Sequence, residues 1–223
     1  MPMTTDRRAF LTTLGGLAAL TSAAGAQAPG QPAAGSGIDI SWFDAFTGKH
    51  KQVFDLGAFD LSVDSPLRQP VTYFAAHREI SRLEPPDDIN VIVAISHKSF
   101  PMNATDALWE KYRLGEEWGI KDPATMQPST RNIFQGAAGG SGGPAGLGGA
   151  ATVRGLQARG VVFWQCNFAL SSVAAELAQK TGGKAQEIRA DLLAGLLPGV
   201  RLVPAHTWAI GYAQERGFTY ESL

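Results

Sequence analysis

Residues 89–95 read INVIVAI, a nearly unbroken apolar run rich in β-branched side chains. A strand with one wet face alternates apolar and polar residues, whereas this one has no polar face to turn to water. It is the pattern of a parallel strand covered by helices on both sides. The run stops at Ser96-His97-Lys98. Any fold that accommodates it needs two helical layers and a crossover connection to each neighbouring strand.

The rest of the chain supplies those parts. Short strand patterns stand at KQVFDL (51–56), VVFWQC (161–166), VRLVPA (200–205) and FTYES (218–222). Between them lie helical patterns. QPVTYFAAHREI (69–80) places Val71, Phe74 and Ala75 on one face, with Pro70 tolerable in a first turn. A second helix starts near Asn103, which can cap it, with Asp106 in its first turn and Ala104, Leu108 and Tyr112 at i+4 spacing. ATVRGLQARG ends at Gly160, SSVAAELAQKTGG closes at Gly182, EIRADLLAGLLPG stops at Pro198-Gly199, and HTWAIGYAQERG follows the fourth strand. Alternating strands and helices predict an α/β fold, a three-layer α/β/α sandwich with a mostly parallel sheet of about five strands. With 223 residues, 44% of them hydrophobic, there is enough apolar material for such a core. In open sheets of this kind ligands bind beyond the carboxyl ends of the strands. That rule gathers Ser96-His97, Cys166-Asn167 and Ala205-His206 at one rim.

The first residues read as an export signal. DRRAFLTTLGGLAAL joins Arg7-Arg8 to an apolar stretch too short to span a bilayer, followed by small residues that offer cleavage after Ala26. This predicts a twin-arginine signal over 1–26, a periplasmic mature protein without a membrane span, and a flexible Pro/Gly/Ala linker over 27–37. A single domain then occupies 38–223, interrupted by the glycine-rich loop 136–150. That loop contains a formal G-x-S-x-G and a formal G-x-G-x-x-A, but no strand precedes either to aim a serine or an amide, so neither reads as a motif. The formal net charge of −1 provides no basic field for nucleic acid or anionic lipid. Cys166 is the one cysteine. In an oxidising periplasm such a thiol is hidden, paired with another molecule or chemically employed. The histidines at 50, 77, 97 and 206 form no close-spaced ligand motif, and no metal or cofactor is called for.

The stretches LQARGVVFWQCNFAL and ADLLAGLLPGVRLVPAHTWAIGYAQERGFTY, and more loosely INVIVAISHKS, resemble the DsrE-like superfamily of sulfur-relay proteins over residues 89–222. The added DALWEKYRLGEE helix and the export signal make the chain look most like an exported branch of it. The resemblance implies a DsrE-like α/β/α sandwich, a tendency to form homo-oligomers, and a persulfide-carrying cysteine at the position of Cys166. Its partners would be a small sulfur-containing or anionic ligand, or a sulfur-transfer protein.

A thiol that works in this way needs thiolate character, which the N-terminus of a helix favours. If Asn167 caps a helix beginning at Phe168, the sulfur lies at that end; if the helix begins at Ser172, Cys166 is an inert core residue. His97 is placed to steady a thiolate or persulfide across the rim, with Ser96, Lys98, Asn132 and Asn167 as ligand-binding candidates. The competing reading is a binding or oligomeric interaction protein that uses the same rim without chemistry.

Overall fold

The computed structural model describes residues 37–136 and 148–223. The export signal, nearly all of the linker and residues 137–147 of the glycine-rich loop lie outside the described residues. After a 3-10 turn, Ser41–Ala45, come β1 (His50–Asp55), α1 (Arg68–Ser81) and β2 (Ile89–Ile95). A second 3-10 turn, Phe100–Asn103, leads to α2 (Asp106–Tyr112) and α3 (Leu114–Glu117). Then follow α4 (Val153–Gln157), β3 (Val162–Cys166), α5 (Asn167–Thr181), α6 (Ala185–Ala194), β4 (Arg201–Val203), α7 (His206–Glu215) and β5 (Thr219–Ser222).

The five strands form one sheet in the order β4-β3-β2-β1-β5, with every neighbouring pair parallel. The sheet is therefore entirely, not mostly, parallel, and the fold is a three-layer α/β/α sandwich. All seven residues of β2 are buried, as a continuous apolar run requires. Their alternation divides the core in two. Val91, Val93 and Ile95 join Phe54 and Phe163 in the larger cluster, while Ile92 and Ala94 join Val53, Trp164 and Val203 in the smaller.

The strand order explains this asymmetry. From β1 to β4 the chain advances steadily in one direction, and right-handed crossovers taken in one direction leave their helices on one face. Phe74 of α1, Trp109 of α2, Leu156 of α4, Leu177 of α5 and Leu192 of α6 all pack in that larger cluster. The step from β4 to β5 runs back across the whole sheet, so α7 lands on the opposite face. There Ala209 and Ala213 meet the sheet, together with Trp42, Phe43 and Phe46 around the first 3-10 turn and Phe218 before β5.

Two local expectations change. DALWEKYRLGEE is not one helix, because Arg113 adopts a left-handed conformation (φ 51°) and separates α2 from α3. The break lays Gly115 against the backbone of Ser129, where an added Cβ would sit 2.0 Å from the carbonyl oxygen. Nor is Asn103 a helix cap. It is fully buried, and its amide donates to the Trp164 carbonyl at 3.0 Å and to Gln165 Oε1 at 3.2 Å, tying the connection after β2 to β3. The residue at the N-cap of α2 is Thr105. Among the described residues no helix is long and apolar enough to cross a membrane.

Candidate functional site

Strands β3 and β4 are neighbours, yet the chain leaves β3 into α5 on one face and β4 into α7 on the other. In open parallel sheets, ligand sites form beyond the carboxyl edge where connections part in this way. Cys166 and Val203 are Cα partners at that edge, and Ala205-His206 follow β4 there.

Cys166 ends β3 and is itself the N-cap of α5, with extended backbone angles (φ −70°, ψ 122°). Its Sγ accepts a hydrogen bond from the Ala169 amide at 3.4 Å. The sulfur thus lies at the positive end of a 15-residue helix, where an anion is favoured. The helix begins at Asn167, one residue before the earlier of the two possible starts, so Asn167 is its first residue and not its cap. Asn167 Oδ1 accepts instead from the Arg189 guanidinium of α6, whose Nε also donates to Ser171 Oγ at 3.1 Å. Cys166 is 4% exposed and the following Phe168 is 70% exposed.

On the α7 face, register builds a second constellation. Asp55 of β1, Ala94 of β2 and Trp164 of β3 are Cα partners in one row. The small Ala94 leaves room between its large neighbours, and the His206 ring bridges them. His206 Nε2 lies 2.7 Å from Asp55 Oδ1, and Trp164 Nε1 donates to His206 Nδ1 at 3.3 Å. An indole N–H can only donate, so Nδ1 accepts and the ring proton sits on Nε2, directed at the carboxylate. Asp55 also accepts from the Gly57 amide at 2.7 Å and from the Tyr220 hydroxyl at 2.8 Å. Burial pushes the Asp55 carboxyl upward, but the hydrogen bonds from His206, Gly57 and Tyr220 outweigh it and hold it below its ordinary value. With both ring nitrogens engaged, His206 has none left to act as a base; the group anchors the start of α7 to the sheet. A Cβ on Gly57 would lie 2.7 Å from His206 Nε2, so that turn admits only glycine without a shift.

No protein-family model matches the chain. Nor does any curated protein. Among solved structures it is similar to MTH1491, a protein of unknown function from Methanobacterium thermoautotrophicum, at 13% identity and a TM-score of 0.34, over 78% of this chain and 99% of that one. That neighbour lends no function to this chain.

The remaining predicted residues separate. His97 does not reach the sulfur: its Nε2 pairs with Glu176 Oε1 at 2.7 Å, and Glu176 lies roughly 15 Å along the α5 axis from Cys166 at the usual helical rise. Lys98 is exposed. Ser96 stays at the rim, its carbonyl accepting weakly from Gln165 Nε2 at 3.5 Å. Asn132 is not a rim ligand. It is buried, and its amide nitrogen donates to the carbonyls of Pro101, Met102 and Ala104 while its oxygen accepts from the Phe134 amide. It holds the second 3-10 turn in shape. Asn132→Ala strands those carbonyls and is expected to cost about 1–3 kcal/mol, seen as a lower urea midpoint at unchanged m-value. Asp55, Trp164 and Tyr220 were not singled out as site residues, because only strand register brings them to His206.

Proposed function

We propose that the chain is a DsrE-like, sulfur-handling protein of the periplasm in which Cys166 holds sulfane sulfur. The observation that supports this reading is the position of Sγ at the N-cap of α5, on the carboxyl edge of β3, where the connections after β3 and β4 diverge. The arginine pair and the Ala-rich stretch before residue 26 support the periplasmic placement. In the transfer, the Cys166 thiolate attacks the outer sulfur of a persulfide donor. One S–S bond forms, the donor's S–S bond breaks, and the donor departs as a thiol carrying the proton, with no net oxidation. A sulfur that is 4% exposed exchanges only when the structure around it opens locally. The same enclosure shelters a bound persulfide from the oxidants of its compartment.

Mass spectrometry of the native protein after incubation with polysulfide tests this. Gain of one sulfur atom on Cys166, reversed by a thiol acceptor, is the expected result. A thiol that labels readily yet takes up no sulfur, or one that resists labelling through a neutral-to-alkaline pH series, overturns the reading.

The enclosure of Cys166 favours a second reading, in which the sulfur only caps and packs and the rim binds a small anionic ligand or another subunit. Phe168, Trp208 and Tyr220, all exposed, leave large apolar groups in solvent. A Cys166→Ala variant that keeps ligand binding and self-association distinguishes the two.

A further inference from the structure

His50 opens β1 and His77 lies near the end of α1, so the fold joins two histidines that are far apart in sequence. Their ring centroids are 4.7 Å apart with the planes tilted by 48°. Both are half-buried and face water in part. They differ from the other two histidines: His97 and His206 each lie 2.7 Å from a carboxylate, whereas neither ring of this pair has a hydrogen-bonded protein partner among the described residues. Tyr73 packs edge-on against His77 at 4.6 Å. Among the described residues no third His, Cys, Asp or Glu joins them in a cluster.

We propose that His50 and His77 form a two-imidazole chelate for a divalent transition-metal cation of the copper, nickel and zinc group, with water in the remaining positions. Metal–imidazole bonds of about 2.0–2.1 Å put two ligand nitrogens on the order of 3 Å apart, within reach of rings at this separation. A strand and a helix carry the two side chains, so little order has to be gained on binding. Neutral imidazole suits this group of metals, and Cu²⁺ stands highest in the affinity series. With no third side-chain ligand among the described residues, the site is open, able to exchange its ion or accept a ligand from another molecule. This inference is independent of Cys166 and of sulfur chemistry.

The test is titration of the purified protein with Cu²⁺ near neutral pH, followed by calorimetry and electron paramagnetic resonance. One ion per chain is expected, with hyperfine coupling to two imidazole nitrogens. His50→Gln and His77→Gln, at half-buried surface positions, should each weaken it by at least about tenfold through loss of the chelate. Binding should weaken as the pH falls, because protons compete for the same nitrogens. His97→Ala should leave it unchanged. Absence of binding, coupling to a single nitrogen, or equal affinity in the double variant overturns the proposal.

Discussion

Trp164→Ala is expected to remove about 3–5 kcal/mol of stability, enough to threaten folding of a domain this size. The indole is fully buried in the smaller of the two core clusters. Its ring lies 6.3 Å from that of Phe43 and meets His206 edge-on. Few side chains line this face, so little can move in to refill the space, and the cavity cost adds to the lost transfer free energy. Trp164→Phe separates packing from hydrogen bonding. It keeps most of the apolar volume but leaves His206 Nδ1 without its donor, for about 1–2 kcal/mol. Urea unfolding followed by circular dichroism measures both variants. Equal losses in the two would show that the indole N–H, not its bulk, dominates.

Asp55→Ala is expected to cost about 3 kcal/mol at neutral pH. Three donors lose their acceptor at once: His206 Nε2, the Gly57 amide and the Tyr220 hydroxyl. The Asp55 and His206 side chains are only 12% and 13% exposed, so water compensates little. The effect depends on pH with a definite sign. The folded-state carboxyl ionises below its ordinary value of 3.8, so its contribution is present in full above that value and is lost as the pH falls through the folded-state value. The gap between wild type and variant should therefore be widest near neutrality and narrow in strong acid. A gap that stays constant from neutral pH into that acid range would mean that the carboxylate charge plays no part.

How far the sequence discloses the fold depends on how locally each part is determined. The β2 run needs no partner to be recognised, since an apolar stretch without alternation has one economical solution, and its boundaries were predicted as observed. Gly182 likewise ends α5 at the expected place, in the left-handed conformation that glycine adopts freely (φ 71°). Where tertiary contact decides, the reading fails. Asn103 has a good capping composition, but the carbonyl of Trp164 and the side-chain oxygen of Gln165 claim its side chain. Asn132 is drawn inward by three carbonyls of a turn distant in sequence. The location of Cys166 at a strand end was legible; whether a helix starts there was left open between two positions, and its enclosure depends on tertiary packing that leaves no local pattern. His50 with His77, and Asp55 with His206, are products of register and crossover placement, which leave no spacing to be read.

The strand order also bears on how the molecule comes into being. β5 is the final strand in chain order, yet it pairs only with β1, the first, through Thr219–Ser222 against Gln52–Asp55. During synthesis one border of β1 has no mate until residues 219–222 leave the ribosome, and Asp55 waits equally long for Tyr220. Until then the growing polypeptide presents a bare edge of β1 that a second nascent molecule can occupy, so emergence of β5 is the moment at which capture of that edge stops competing with correct closure.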